Sequence, residues 1–233
     1  MEIRIGSLLR GAQEAVGTTI IIDVFRAFTT AAVAFARGAQ KIILVAEVEE
    51  ALALRRQGFG QLCMGEVAGI KPDAFDYGNS PHELEGIDLT GRTVIQSTRA
   101  GTVGATAASS AEKLYLGSFV TAAATVRAVR QQRPSVVSLV AMGYASRQRA
   151  DEDEQCALYL RNCLQGRRPD PEAVRKLVLV GHEAQKYDDP EQPQFHPQDK
   201  DLALNVDRYA FALPVSREGG LLVARPDPRP GVI

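Results

Sequence analysis

Thr19-Ile20-Ile21-Ile22-Asp23-Val24-Phe25-Arg26-Ala27-Phe28-Thr29-Thr30 decides how this chain is read. The β-branched run up to Val24 predicts a buried strand. Thr29 to Arg37, rich in small alanines, predicts a closely packed helix. The alternation then repeats: Lys41 to Val45 reads as a strand and Glu47 to Gln57 as a helix. Further along, Thr93 to Ser97 and Lys113 to Leu116 read as strands, each followed by a helix, at Thr102 to Ser110 and Thr121 to Gln132. Strands alternating with helices of this length indicate βαβ units. We therefore expect a layered α/β/α fold with a mostly parallel or mixed sheet.

The two halves of this pattern match residue by residue. Shifted by 73 positions, Arg26, Ala27, Thr29, Ala32 and Ala34 meet Arg99, Ala100, Thr102, Ala105 and Ala107. Shifted by 72, Lys41, Leu44, Val48, Ala51 and Arg55 meet Lys113, Leu116, Val120, Ala123 and Arg127. Both segments run on to a Met-Gly pair, Met64-Gly65 and Met142-Gly143. Alanine-rich helices align with almost anything, but the Arg, Thr and Lys matches favour an internal duplication. Parallel strands with right-handed crossovers would set the Arg26 and Arg99 turns at one sheet edge, around one shared site. Asp23 aligns with Gln96, so the halves would differ in charge there.

After Gly143 the character changes. Asp151 to Glu154 open a helix with a core-facing stripe at Cys156, Ala157, Leu160, Cys163 and Leu164, stopped by Gly166. Pro171 to Val180 and Asp201 to Tyr209 read as helices. Gln185 to Gln198 reads as a loop or an ordered excursion. Leu213 to Val215 and Leu221 to Val223 read as short edge strands, and 226–233 as a proline-rich tail. The whole of 1–233 is expected to form a single compact unit, with 59–92 as the place for any subdomain boundary.

Composition narrows the function. The chain has 233 residues with 27 Lys and Arg against 28 Asp and Glu, a net charge of −1, without the basic footprint of a nucleic-acid binder. No apolar run reaches membrane-spanning length, Met1 to Leu9 carries charges where a signal peptide would be apolar, and three scattered cysteines suit a reducing compartment. A soluble cytoplasmic protein is expected, and a homodimer is left open. Nucleotide-loop, hydrolase-elbow and zinc-protease signatures are missing, and three histidines leave little for a zinc site or triad.

Four segments remain that can carry chemistry. Asp23 ends a buried strand, followed by Arg26, Thr29 and Thr30 at a helix start, where ligands gather in open α/β sheets. Asp23 either holds a metal, attacks as a nucleophile, or pairs with Arg26, while the threonines either contact substrate or cap the helix. Gly65 to Glu83 is a polar loop containing Glu66, Asp76, Asn79 and Ser80. Thr98 to Thr102, with Gly101, has the hydroxyls and glycine of an anion nest. Glu152 and Asp153 sit in the first turn of a helix, where acidic residues are stabilising in any case. Carboxylates, two arginines and hydroxyl-rich helix starts together suit magnesium-assisted phosphoryl transfer. Phe25 in place of a second aspartate excludes the D-x-D-x-[TV] phosphatases.

These residues also resemble a known family. Ile22 to Thr30, Gly65-Glu66, Phe75-Asp76-x-Gly78-Asn79-Ser80-Pro81, the Ser97 to Thr102 turn and Glu152-Asp153-x-x-Cys156-Ala157 are similar to the 2-phosphosulfolactate phosphatases. The resemblance spans about 19 to 165, with weaker agreement through Asp207 to Pro214. It implies an α/β fold and magnesium-dependent release of phosphate from 2-phospho-3-sulfolactate, a step in coenzyme M biosynthesis. Metal-activated water or a carboxylate nucleophile would attack phosphorus. On this reading Asp23, Glu66 and Asp76 hold magnesium, and Arg26 and Arg99 clamp phosphate. Thr29, Thr30, Asn79, Ser80, Thr98, Gly101, Thr102, Glu152 and Asp153 contact substrate. Many members read T-T-N-G-T where this chain has Thr98-Arg99-Ala100-Gly101-Thr102, a change that gains a cation. A second acidic group on the substrate would suit Arg99, and so would another phosphate ester. The rival reading is a protein that binds a small phosphorylated or sulfonated anion without turning it over.

Overall fold

A computed structural model describes residues 1–227. The first duplicated unit is β1-independent and contains β-branched strands in the expected places. Ahead of it come β1 (Glu2–Ser7) and α1 (Leu8–Gln13), neither of them anticipated. The unit itself is β2 (Gly17–Ile22), α2 (Ala27–Ala36), β3 (Lys41–Val45), α3 (Val48–Arg56) and β4 (Leu62–Gly65). After the one-turn helix α4 (Pro81–Leu84), the second unit is β5 (Thr93–Ser97), α5 (Gly101–Ala107), β6 (Ala111–Gly117), α6 (Ala122–Gln132) and β7 (Val136–Ala141). Then follow α7 (Asp151–Leu164), α8 (Pro171–Leu179), α9 (His182–Gln185), α10 (Pro197–Ala203) and the hairpin β8 (Leu213–Glu218) and β9 (Leu221–Ala224).

All nine strands form one sheet in the order β1-β7-β2-β6-β8-β9-β3-β5-β4. The duplication is visible in that order. β2 lies between β6 and β7 of the second unit, and β5 lies between β3 and β4 of the first. Exchanging β2 for β5, β3 for β6 and β4 for β7 maps one trio onto the other.

The expected reason for a shared edge does not hold. β8 and β9 are antiparallel to their neighbours, so the trio β3-β5-β4 runs opposite to β6-β2-β7. The turns after β2 and β5 nevertheless meet, since Asp23 Oδ2 accepts from Gly101 N at 2.7 Å. Every strand except the edge strand β1 sends a side chain into the core around these helices, among them Ile21, Ile42, Met64, Val94, Leu116, Val140, Leu213 and Leu222. Phe28, Ala31 and Ala32 of α2 pack there fully buried. On the outer face, α6, α7 and α8 cover the β2 trio, and α3 covers the β5 trio.

Other expectations are corrected. β8 and β9 are not edge strands but the bridge between the trios. Pro214 fits because the β9 ladder starts one residue later, at Val215. The helix expected at Asp201 to Tyr209 lies at Pro197–Ala203, started by Pro197 with the His196 ring accepting from Gln198 N. Gln185 to Gln198 is an ordered excursion that includes a turn of 3-10 helix at Lys186–Asp188. Of the expected tail, 228–233 lie outside the described residues. No helix among the described residues is long and apolar enough to cross a membrane.

Candidate active site

Asp23 follows β2 and sits between the starts of α2 and α5. Its Oδ1 accepts from Ala27 N at 2.9 Å and its Oδ2 from Gly101 N at 2.7 Å. One carboxylate thus occupies the positive ends of both duplicated helices. Gly101 is required by this approach, since a Cβ there would lie 2.8 Å from Asp23 Oδ2 and 2.9 Å from the Phe28 ring. Gln96, the counterpart of Asp23, reaches back the other way, donating through Nε2 to Ala27 O at 2.9 Å.

Both arginine turns open on one cavity of about 260 Å³. That is below the roughly 300–1,000 Å³ of sites for drug-sized ligands, so the occupant is small. Asp23, Arg26, Glu66, Asn79, Arg99 and Glu152 all line it. Asp76 does not belong to it. Its carboxylate accepts from Cys63 N at 2.8 Å and pairs with Arg55 at 2.9 Å, tying the 72–77 loop to β4 and α3.

The expected anion nest at 98–102 is already filled by the chain's own oxygens. Thr98 N donates to Thr102 Oγ1 (2.8 Å), Arg99 N to Glu66 Oε1 (2.8 Å) and Gly101 N to Asp23. Thr29 Oγ1 donates to Val24 O, and Thr30 Oγ1 to Arg26 O and Asn79 O, so both threonines brace the backbone. Ser80 caps α4 and donates to Asp199. Glu66 accepts from Gly69 N as well as Arg99 N, joining two walls of the cavity. Asp153 accepts from Val24 N (2.7 Å) and Gly143 N (2.8 Å), fixing the ends of β2 and β7 to α7.

The two arginines differ. Arg99 pairs with Glu47 at the surface. Arg26 is buried and ion-paired with Asp199 at 2.7 Å, with the Phe195 and Tyr187 rings 5.1 and 5.8 Å from its guanidinium carbon. Both Nη1 hydrogens are used, by Gln194 O (2.9 Å) and Asp199 Oδ2, and Nη2 has a long contact of 3.4 Å to Gly69 O. Among the described residues, Nε and the second Nη2 hydrogen carry no hydrogen bond. Nε with an Nη hydrogen is the pair through which arginine takes phosphate or carboxylate as a side-on fork.

Several carboxyl groups crowd around this arginine, and burial disfavours their charged forms. Burial pushes the Asp23 carboxyl up to about 6, with the Glu66 charge adding to it against the pull of the two amides. Burial, then the neighbouring Asp153 charge, pushes Glu152 well above the usual carboxylate range. Asp153 is raised by burial and by Asp23. Glu152 Oε2 is buried and unpartnered, as is Asn79 Oδ1. Among the described residues, no three His, Cys, Asp or Glu side chains make a protein-only metal cage. Magnesium does not need one, since it binds through one or two carboxylates, waters and substrate phosphate. The orphaned Glu152 oxygen beside Asp23 fits that mode; the expected trio with Asp76 does not.

Reading the residues alone missed the far wall of the cavity, formed by Tyr144, Arg147, Glu183, Tyr187 and Phe195. It also missed Asp199. The one signal there was the polar stretch Gln185 to Gln198 with its three prolines, which reads as a loop or an ordered excursion.

A pocket of this size, at the strand ends of an α/β sheet and lined by two arginines and several carboxylates, suits a small anionic ligand. A model of the 2-phosphosulpholactate phosphatase family matches residues 7–192. The chain belongs to that family and is a phosphoric monoester hydrolase. A probable 2-phosphosulfolactate phosphatase of Bacillus subtilis (strain 168) is 33% identical over 204 residues, 86% of this chain and 87% of the relative. One from Carboxydothermus hydrogenoformans is 46% identical over 105 residues, 45% of this chain and 43% of that protein. One from Thermoplasma volcanium is 33% identical over 155 residues, covering 66% and 71% of the two chains.

Proposed function

We propose that this enzyme hydrolyses 2-phospho-3-sulfolactate to sulfolactate and phosphate with magnesium bound, in coenzyme M biosynthesis. The observation that carries the reading is the buried Arg26, fixed through Nη1 by Asp199, lining a pocket sized for a small molecule with Asp23 and the unpartnered Glu152. Arg26 takes two phosphoryl oxygens, and burial among aromatic rings strengthens that contact over its value in water. Asp23 and Glu152 are the residues that would hold the magnesium. Bound there, the ion would supply Lewis-acid charge to the phosphoryl oxygens. Asn79 presents its amide to the ester. Arg99, at the more open side of the pocket, takes the second acidic group of the substrate.

The test is phosphate release from 2-phospho-3-sulfolactate and a panel of phospho-hydroxy acids, with magnesium and after chelation. Turnover that disappears with chelator and returns with magnesium is the expected result. Full turnover in chelator removes the metal. Turnover of another ester in preference changes the substrate, and tight binding without phosphate release leaves a binding protein.

A further inference from the structure

Arg26 owes its direction to a residue outside the 7–192 span that the family model matches. Asp199, in the first turn of α10, is fully buried and makes three contacts. Oδ2 takes Arg26 Nη1 at 2.7 Å, while Oδ1 takes Ser80 Oγ at 2.7 Å and His82 N at 2.9 Å. A single carboxylate therefore joins the start of α2, the start of α4 and α10. Asp199 and Gln194 O both engage Nη1, which leaves Nε and, beside its long contact to Gly69 O, Nη2 as the donors for a ligand. Ser80 follows Asn79, which lines the same cavity, so Asp199 also fixes the segment carrying that amide.

We propose that Asp199 is a positioning residue of the phosphatase site, orienting the Arg26 fork towards the phosphoryl group. The proposal rests on the phosphatase reading for its kinetic arm and on phosphate binding alone for its other arm. Residues that orient a primary ligand typically change affinity or activity by about 10–100-fold when altered. Asp199→Asn keeps the volume and loses the charge. Asp199→Glu keeps the charge and displaces the carboxylate by one methylene. The probes are inorganic phosphate, followed by calorimetry, and steady-state turnover of the best ester.

Both variants are expected to bind phosphate and to turn over at least about tenfold less well while retaining a cooperative melt. In an Arg26→Lys background, which lacks the fork and alone costs roughly tenfold or more in turnover, Asp199→Asn should add less than about twofold, because the two residues act as one unit. Losses that multiply across the two sites would overturn the proposal. So would phosphate affinity and turnover unchanged in either folded variant, and failure of both variants to fold would assign Asp199 to the fold alone. An unaltered protein that releases phosphate from no ester sinks the phosphatase reading, while the phosphate titrations still decide the role of Asp199.

Discussion

The turn from Asp23 to Thr30 and the turn from Gln96 to Val103 start from one pattern and end in different surroundings. In the first, Arg26 is 3% exposed and held between Asp199 and Gln194 O. In the second, Arg99 is 40% exposed and pairs with Glu47, itself 59% exposed. At the strand ends a carboxylate faces an amide. Asp23 accepts from the second unit's helix, and Gln96 donates to the first unit's carbonyl. The reciprocal contacts preserve the geometry of a duplicated frame. The burial does not repeat, and burial decides where a charge is worth most. The difference teaches that two matching scaffolds can carry unequal burial: the 183–199 segment covers the first turn and leaves the second open.

The comparison breaks most visibly at Asp23. Asp23→Asn makes the first turn resemble the second, removes a charge, and leaves one of two helix-start amides facing an NH2 group. Turnover should fall by at least about 100-fold, equivalent to about 2.7 kcal/mol, measured as kcat on folded protein. A value within threefold of the parent would make Asp23 a brace and nothing more. Arg99→Ala sharpens the comparison from the other side. It should raise KM about five- to tenfold for esters with a second acidic group, with kcat and esters lacking that group little affected. An equal effect on both kinds of ester would end the idea that the second turn reads substrate. The smallest effect lies in the bridge between the trios. Arg225 forks onto Glu218, and with Ser216 it holds the Glu218 carboxyl down at about 2. A depressed carboxyl stabilises the fold above its unfolded value of 4.5 and loses that contribution as pH falls towards 2. Glu218→Gln should therefore lower Tm slightly at neutral pH, and the gap should close as pH drops below about 4.5. A gap independent of pH would show that the pair's charge is irrelevant there.

Much of the frame was legible because buried parallel strands announce themselves. Lys41 to Val45 and Thr93 to Ser97 were read to the residue, since both are β-branched runs buried on two faces. β1 was not, because Glu-Ile-Arg-Ile pairs only with β7 and stays largely exposed, so no apolar run marks it. The hairpin looked like an edge because proline and short length are local edge signals, whereas its place between β6 and β3 is set by pairing with strands about a hundred residues or more away in sequence. The site divides in the same way. Asp23, Arg26, Glu66, Arg99 and Glu152 were legible from their places at strand ends and helix starts, and all reach the cavity. Asp76 was as acidic and as loop-bound as Glu66. Composition carries no sign of which way a loop carboxylate turns, and Asp76 turns to Arg55. Asp199 sits in a segment without periodicity, and its role exists only once Arg26 lies beside it.

The strand exchange between the units also constrains how the chain reaches this state. β2 finds its neighbours only in β6 and β7, and β1 pairs across the sequence with β7, Glu2 against Val136. During synthesis Ile20, Ile21 and Ile22 therefore emerge long before either partner strand exists, with both edges open to other chains. Nearly all the sheet contacts are non-local, which slows folding because long loops close before pairing repays them. Neither unit can complete a sheet by itself, so cutting the chain between β4 and β5 should leave two fragments that fold only together. The last hairpin fills the gap between the trios, so the sheet is continuous only once residues 213–224 are in place.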